Sequence, residues 1–263
     1  MKDADCVALL KWALPRLHLR WEGFRRVRGQ VCKRIARRMG ELGLDDIGEY
    51  RRRLEADPLE WRRFDSLCRV TISRFHRDRR VFEPLGELLA RRPSAGEGQS
   101  LRVWSAGCAS GEEPYTVAIL FRRRLLPAAP GSRLELVATD IDPHLLERAR
   151  AGCYAGGSLR ELPEEWREDA FERVGDEWCI KGLYREGIEW RCEDIREQMP
   201  DGPFAVILCR NLVFTYFDDS LQRRLLEQIL SRLEEGGLLI LGAHETLPSD
   251  RLRRLEPGVP IYG

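Results

Sequence analysis

From residue 101 onward, short apolar runs ending in small or acidic residues alternate with stretches of helical spacing. This alternation constrains the fold more than any other feature of the chain. The runs are "LRVWSAG" (101–107), "LELVATDID" (134–142), "FAVILCRN" (204–211) and "GLLILGAH" (237–244). Between them lie "EEPYTVAILFRRRLL" (112–126), "PHLLERARAG" (143–152), with Pro143 at a helix start, and "DSLQRRLLEQILSRLEEGG" (219–237). Strands that alternate with helices need crossover connections, which predicts a parallel sheet with helices on both faces. Such sheets bind ligands at the carboxyl ends of their strands, near the point where strand order reverses.

The front of the chain follows another period. In "RWEGFRRVRGQVCKRIARRMGELGL" (20–44), Trp21, Phe24, Val27, Val31, Ile35, Met39 and Leu42 recur at steps of three and four, one helical face. Arginines cover the rest. "GLDDIGEYRRRLEAD" (43–57) and "LEWRRFDSLCRV" (59–70) read as further helices. Residues 1–92 are therefore expected to form a small all-α domain and 93–263 the α/β domain, with "RRPSAGEGQS" (91–100) as the linker. Within the second domain, 151–193 breaks the alternation. It holds a helix near 163–173 and two β-like pieces, "EWCIKG" and "IEWRCED", and reads as a small inserted β-subdomain over about 155–192 with a hairpin.

Charge follows the same division. The whole chain carries only +1, but residues 1–92 hold 23 Lys and Arg against 14 Asp and Glu, a net of +9 that leaves −8 for the remainder. A basic front unit suits an acidic partner. Near-neutral overall charge and the lack of a basic, aromatic stacking module argue against nucleic acid. No apolar stretch is long enough to cross a bilayer, and "MKDADCVALLKW" carries no signal-peptide pattern. Eight scattered cysteines without CxxC read as reduced thiols of a cytoplasmic protein. His18, His76 and His144 have no partners at ligand spacing, so no metal is expected. A monomer is the default.

Chemistry concentrates at the strand ends. The first strand runs into the small-residue turn Ser105–Gly111, in which Gly107 lets a ligand approach the backbone. The second ends in Asp140, placed to accept hydrogen bonds from ribose hydroxyls. A third strand-like piece ends in Asp194, and the next in Cys209-Arg210-Asn211. The turn lacks GxGxxG and is followed at once by Glu112 and Glu113, which would repel a pyrophosphate. A cationic cofactor fits better, and S-adenosylmethionine carries both a sulfonium and an ammonium.

Together "VWSAGCASGEEPY", "ATDID", "FAVILCRN" and "GAHE" resemble the CheR family of chemotaxis-receptor methyltransferases over nearly the whole chain. The resemblance implies a Rossmann-like S-adenosylmethionine-dependent methyltransferase that esterifies protein glutamate side chains and releases S-adenosylhomocysteine. It also implies site residues. In "VTISRFHRD" (70–78), Thr71 and Ser73 fall at cofactor contacts and Arg77 at an arginine beside both cofactor and methyl transfer. Glu113 matches the acid at the methionine ammonium and Asp140 the ribose acid. Asp194 and Ile195 fall at the adenine, and Cys209 and Arg210 match contacts of the fourth strand. The chain departs from the family pattern where Thr71 replaces Asn and His76 replaces a second aromatic. In "CRNLVFTYFD", Tyr216 stands one position later than the family's methyl-site tyrosine, with Thr215 in the expected slot.

A glutamate acceptor has a reference pKa of about 4.3 and arrives ionised, so the reaction needs no general base. That agrees with the absence of a Ser/His/Asp or Cys/His array. Arg77 is then expected to orient the carboxylate, and His244 and Glu245 to serve their turn structurally. Two other readings stay open: a methyltransferase of the same build acting on a small molecule, and a cofactor-binding regulatory module without turnover.

Overall fold

A computed structural model describes residues 2–90 and 100–263. Of the expected linker only Ser100 falls among the described residues. The chain divides into two units, residues 1–71 with 215–222, and residues 72–214 with 223–263.

The first unit is helical: α1 (Asp3–Ala13), α2 (Trp21–Phe24), α3 (Arg28–Glu41), α4 (Ile47–Ala56) and α5 (Pro58–Leu67). Asp46 and Asp57 begin α4 and α5 by accepting from the amides of Glu49 (3.1 Å) and Leu59 (2.9 Å), which satisfies first-turn donors. The single helical face expected over 20–44 is interrupted around Val27. Phe24, Val31, Ile35 and Met39 are buried as the spacing predicts, whereas Trp21, Val27 and Leu42 are half-buried. Inside the unit, Glu60 is 3% exposed and takes Arg38 on both oxygens (3.0 and 2.7 Å) and the Tyr50 hydroxyl (3.0 Å). Arg38 holds the Glu60 carboxyl below its ordinary range, and burial pushes the Tyr50 hydroxyl up. A returning segment completes the unit. Leu19 bridges to Phe217, the Arg20 amide donates to the Tyr216 carbonyl (2.9 Å), and the Asp218 amide to the His18 carbonyl (2.8 Å). Gly23 is required there, because a Cβ would stand 2.2 Å from the Thr215 carbonyl oxygen.

The second unit carries the expected sheet. Its seven strands are β1 (Ser100–Ala106), β2 (Arg133–Asp140), β6 (Ile188–Cys192), β7 (Phe204–Leu208), β8 (Leu233–Ile240), β9 (Arg254–Glu256) and β10 (Val259–Tyr262), in the order β6-β2-β1-β7-β8-β10-β9. The pairings β6–β2, β2–β1, β1–β7 and β7–β8 are parallel, and β10 runs antiparallel to β8 and β9. Strand order reverses between β1 and β7, the position at which such sheets open a crevice. Among the described residues, the α-helices wholly or partly in this unit are α6 (Arg79–Ala90), α7 (Glu112–Leu120), α8 (Pro143–Ala151), α9 (Glu164–Ala170), α10 (Val213–Tyr216) and α11 (Asp219–Leu230). A second sheet, β3-β5-β4, is formed by β3 (Cys153–Ala155), β4 (Phe171–Val174) and β5 (Glu177–Ile180), all antiparallel.

Three expectations are corrected. The units divide at Thr71/Ile72 rather than at 92/93, because Val81, Phe82, Leu85 and Leu89 of α6 bury in the same core as Val103, Val206 and Ile240 of the sheet. The hairpin of the insertion is β4–β5, whereas "IEWRC" leaves the insertion and pairs with β2 as an edge of the main sheet. Four of the eight cysteines form disulfides, Cys6–Cys32 and Cys153–Cys179, since packing brings their Cα atoms to 5.9 and 4.0 Å.

Candidate active site

The turn after β1 is shaped by backbone that favours glycine. Gly107 (φ 73°) and Gly111 (φ 92°) both lie in the left-handed region. A Cβ on Gly107 would approach Leu212 to 2.7 Å, and one on Gly111 would approach Ala149 and Trp190 to 2.9 Å. The amides of Gly107 and Cys108 donate to the Thr139 carbonyl (2.9 and 3.0 Å), which ties the turn to the end of β2.

Asp140 follows at that end. Its Oδ2 accepts from the Ala109 amide (2.8 Å) and its Oδ1 from the Asp142 amide (3.0 Å). These two donors set the plane of its carboxylate. The Glu193 amide donates to the Asp140 carbonyl (3.1 Å), bringing the residues after β6 alongside. There Asp194 is gripped by Arg196 through Nε (3.0 Å) and Nη2 (2.8 Å) and accepts from the Arg196 amide (2.9 Å), while Ile195 is buried.

The two glutamates opening α7 separate in role. Glu112 is buried and both its oxygens receive the Ser110 hydroxyl (3.1 and 3.0 Å), so it closes the helix start. Glu113 receives the Ser105 hydroxyl on Oε1 (2.7 Å) and Arg210 Nη1 on Oε2 (2.9 Å). Arg210, with a side chain 3% exposed, donates from Nη2 to Asp78 (2.8 Å) and to the Arg77 carbonyl (2.7 Å), and its guanidinium lies 4.9 Å from the Phe82 ring centre. The Arg77 side chain donates to the Ile72 carbonyl (2.8 Å) and to Asn211 Oδ1 (3.3 Å). Asn211 is left-handed (φ 54°), and its amide and that of Gly242 both donate to Glu245 Oε2 (2.8 and 2.6 Å), the structural role expected of Glu245.

The structure thus joins Arg77, Glu113 and Arg210 in one network and sets Gly107, Asp140 and Asp194 along neighbouring strand ends. Ser73 is half-buried in the segment leading to Arg77. Cys209 is buried, and burial pushes its thiol and that of Cys108 up, so neither is poised as a nucleophile. Thr71 and Tyr216 fall in the helical unit, where the Tyr216 ring packs 5.1 Å from Phe24. Sequence reading missed Asp78, Ser105 and Arg196. Asp78 closes the "SRFHRD" motif, but its partner lies 132 residues away.

These residues fit the expected cofactor: Glu113 and Asp140 are anionic, oriented and adjacent to a turn whose Gly107 admits no side chain. A mostly parallel sheet, reversing beside a glycine turn with an acid ending the next strand, is the Rossmann-like arrangement that receives an adenosyl cofactor at its strand ends. Residues 71–257 match the CheR methyltransferase SAM-binding domain and residues 27–65 the CheR methyltransferase all-alpha domain. The chain belongs to the CheR methyltransferase family. It is 34% identical over 207 residues to a chemotaxis protein methyltransferase of Listeria innocua, covering 78% of this chain and 77% of that protein. Identity to the chemotaxis protein methyltransferase of Salmonella typhimurium is 36% over 226 residues, covering 83% and 76%. For that of Escherichia coli it is 32% over 243 residues, covering 89% and 82%.

Proposed function

We propose that this protein transfers a methyl group from S-adenosylmethionine to glutamate side chains of a chemoreceptor. The observation that carries the reading is that the family match over 71–257 contains Asp140, oriented at the end of β2, and Glu113, oriented in the first turn of α7. The cofactor supplies a methyl group on a positively charged sulfur. In this reading Asp140 accepts from the ribose and Glu113 from the ammonium, with Gly107 in the turn that receives the cofactor. Asp194 and Ile195 flank the adenine, and Ser73, Cys209 and Arg210 complete the binding side. The resemblance gives Thr71 a cofactor contact and Tyr216 a place at the methyl group.

An incoming glutamate, with a reference pKa of about 4.3, is already a carboxylate at neutral pH. No residue has to remove a proton, so the protein's work is orientation and exclusion of water. Good alignment is worth roughly 7–11 kcal/mol of barrier. Arg77 offers a fork that matches a carboxylate. Its anchoring by Ile72 and Asn211 fixes that fork without a second acidic partner, which keeps the grip on the acceptor moderate. The basic helical domain supports an acidic helical receptor segment as the docking partner, and the protein acts as a cytoplasmic monomer without nucleic acid.

Labelled S-adenosylmethionine incubated with the protein and receptor cytoplasmic fragments should yield a base-labile methyl ester on a receptor glutamate. Asp140→Ala should weaken cofactor binding about a hundredfold, the loss of an acceptor to two hydroxyls at about 1.4 kcal/mol each. Label found only on a small molecule, or cofactor binding without transfer to any acceptor, would overturn the reading.

A further inference from the structure

We infer that Arg210 is a positioning residue that couples the cofactor end of the site to the acceptor end. The inference rests on the proposed function, in which Glu113 receives the cofactor ammonium and Arg77 the acceptor carboxylate. One guanidinium serves both ends. Nη1 holds Glu113 (2.9 Å), while Nη2 holds Asp78 (2.8 Å) and the Arg77 carbonyl (2.7 Å). Its side chain is 3% exposed, so water cannot replace a lost partner, and the Phe82 face at 4.9 Å keeps the fork in one plane. Arg210 Nε is buried without a hydrogen-bond partner, so the fork alone holds the side chain.

Charge makes the contacts interdependent. Glu113 and Asp78 together carry two negative charges against one on Arg210, and this surplus is what an arriving ammonium balances. Removing the charge of Asp78 leaves Arg210 committed to Glu113, and Glu113 then attracts an ammonium less. In the other direction, a cation on Glu113 releases Arg210 toward Asp78 and the Arg77 carbonyl, which tightens the segment carrying the acceptor-side arginine. Occupation of one end thereby strengthens binding at the other. Linkage makes the effect reciprocal.

Asp78→Asn is the suitable probe. Asp78 has φ 64°, a left-handed conformation that Asn tolerates, and Asn keeps an oxygen for Arg210 while losing the charge. Binding of S-adenosylhomocysteine, measured by calorimetry, reads the ammonium without the sulfonium. Asp78→Asn should weaken it about tenfold, within the usual range of coupling between sites. Adding Asp78→Asn to Glu113→Gln should then weaken it less than twofold further, since the charge that Asp78 tunes is gone. In an Arg210→Lys background, where the fork is lost, the two substitutions should act additively; circular dichroism checks that each variant folds. Unchanged binding by Asp78→Asn beside a clear loss with Glu113→Gln overturns the coupling alone, as does additivity in the wild-type background. Unchanged binding by Glu113→Gln overturns the assignment of Glu113 to the cofactor, and the coupling with it.

Discussion

His76 should make the second unit lose stability as pH falls below neutrality, and His76→Phe should remove that contribution. The ring is 1% exposed and lies between Phe82 (5.6 Å) and Trp166 (5.1 Å). Nδ1 faces the Glu161 carbonyl at 3.4 Å, and Nε2 is buried with no partner. The backbone is equally committed: φ is 55°, and the amide donates to Thr116 Oγ1 (3.0 Å). A second proton would fall on an atom with nothing to bond. Burial therefore holds the imidazole below its ordinary range, outweighing the raising effect of the Glu161 carbonyl; among nearby charges Arg79 lowers it, and Glu83 and Glu161 raise it. Because the folded pKa lies below the unfolded one, the unfolded chain binds more protons in the window beneath about 6.5, and stability rises with pH there. Moving from pH 7.5 to 5.5 costs at most about 1.4 kcal/mol from this group, the limit in which the native ring takes up no proton. For a unit of this size that is roughly 3–6 °C in melting temperature. His76→Phe fills the same slot but forgoes the contact to Glu161 and sets a bulkier residue on left-handed backbone, so it should be about 1–2 kcal/mol less stable at pH 7.5 and distinctly flatter with pH. Scanning calorimetry of both proteins at the two pH values isolates the term, because every other titrating group is common to both. Equal shifts in the two proteins would refute the argument.

Three further outcomes can be checked. Glu60→Ala strips Arg38 and Tyr50 of their shared buried partner; Arg38 can still turn toward water, so the loss from the helical unit should be about 2–3 kcal/mol by denaturant titration. Gly111→Ala forces a side chain into left-handed backbone against Ala149 and Trp190, and should cost about 2 kcal/mol or more and reduce cofactor binding, both readable by thermal shift with and without S-adenosylhomocysteine. Iodoacetamide under non-reducing conditions should label Cys192, which is exposed, and spare the buried Cys68, Cys108 and Cys209; mass-spectrometric label on Cys6 or Cys153 would show the disulfides open.

Strands β1, β2, β7 and β8 were legible because apolar runs bounded by turns have few other uses, and their ends located Asp140 and Glu113. The domain boundary was not, since the apolar stripe of α6 has the same spacing whichever core receives it. Strand β6 reads as part of the insertion for a similar reason: "IEWRC" is a short, half-exposed edge, and only its pairing with β2 puts it in the main sheet. Glu113 was readable from its place after a glycine turn. That Arg210 and Asp78 share its charge was not, for they lie 97 and 132 residues apart along the chain in their respective pairings. The disulfides escaped for want of any short spacing, as both close over 26 residues.

The segment 215–222, which belongs to the helical unit although the chain reaches it only after most of the sheet, changes what that unit is during synthesis. A ribosome that has released the first seventy-one residues has not yet translated Phe217, so Leu19, Arg20 and Phe24 wait for partners made much later. Any chimera that exchanges front domains between relatives must therefore graft two pieces of chain, or leave the transplanted helices without the strap that fastens them.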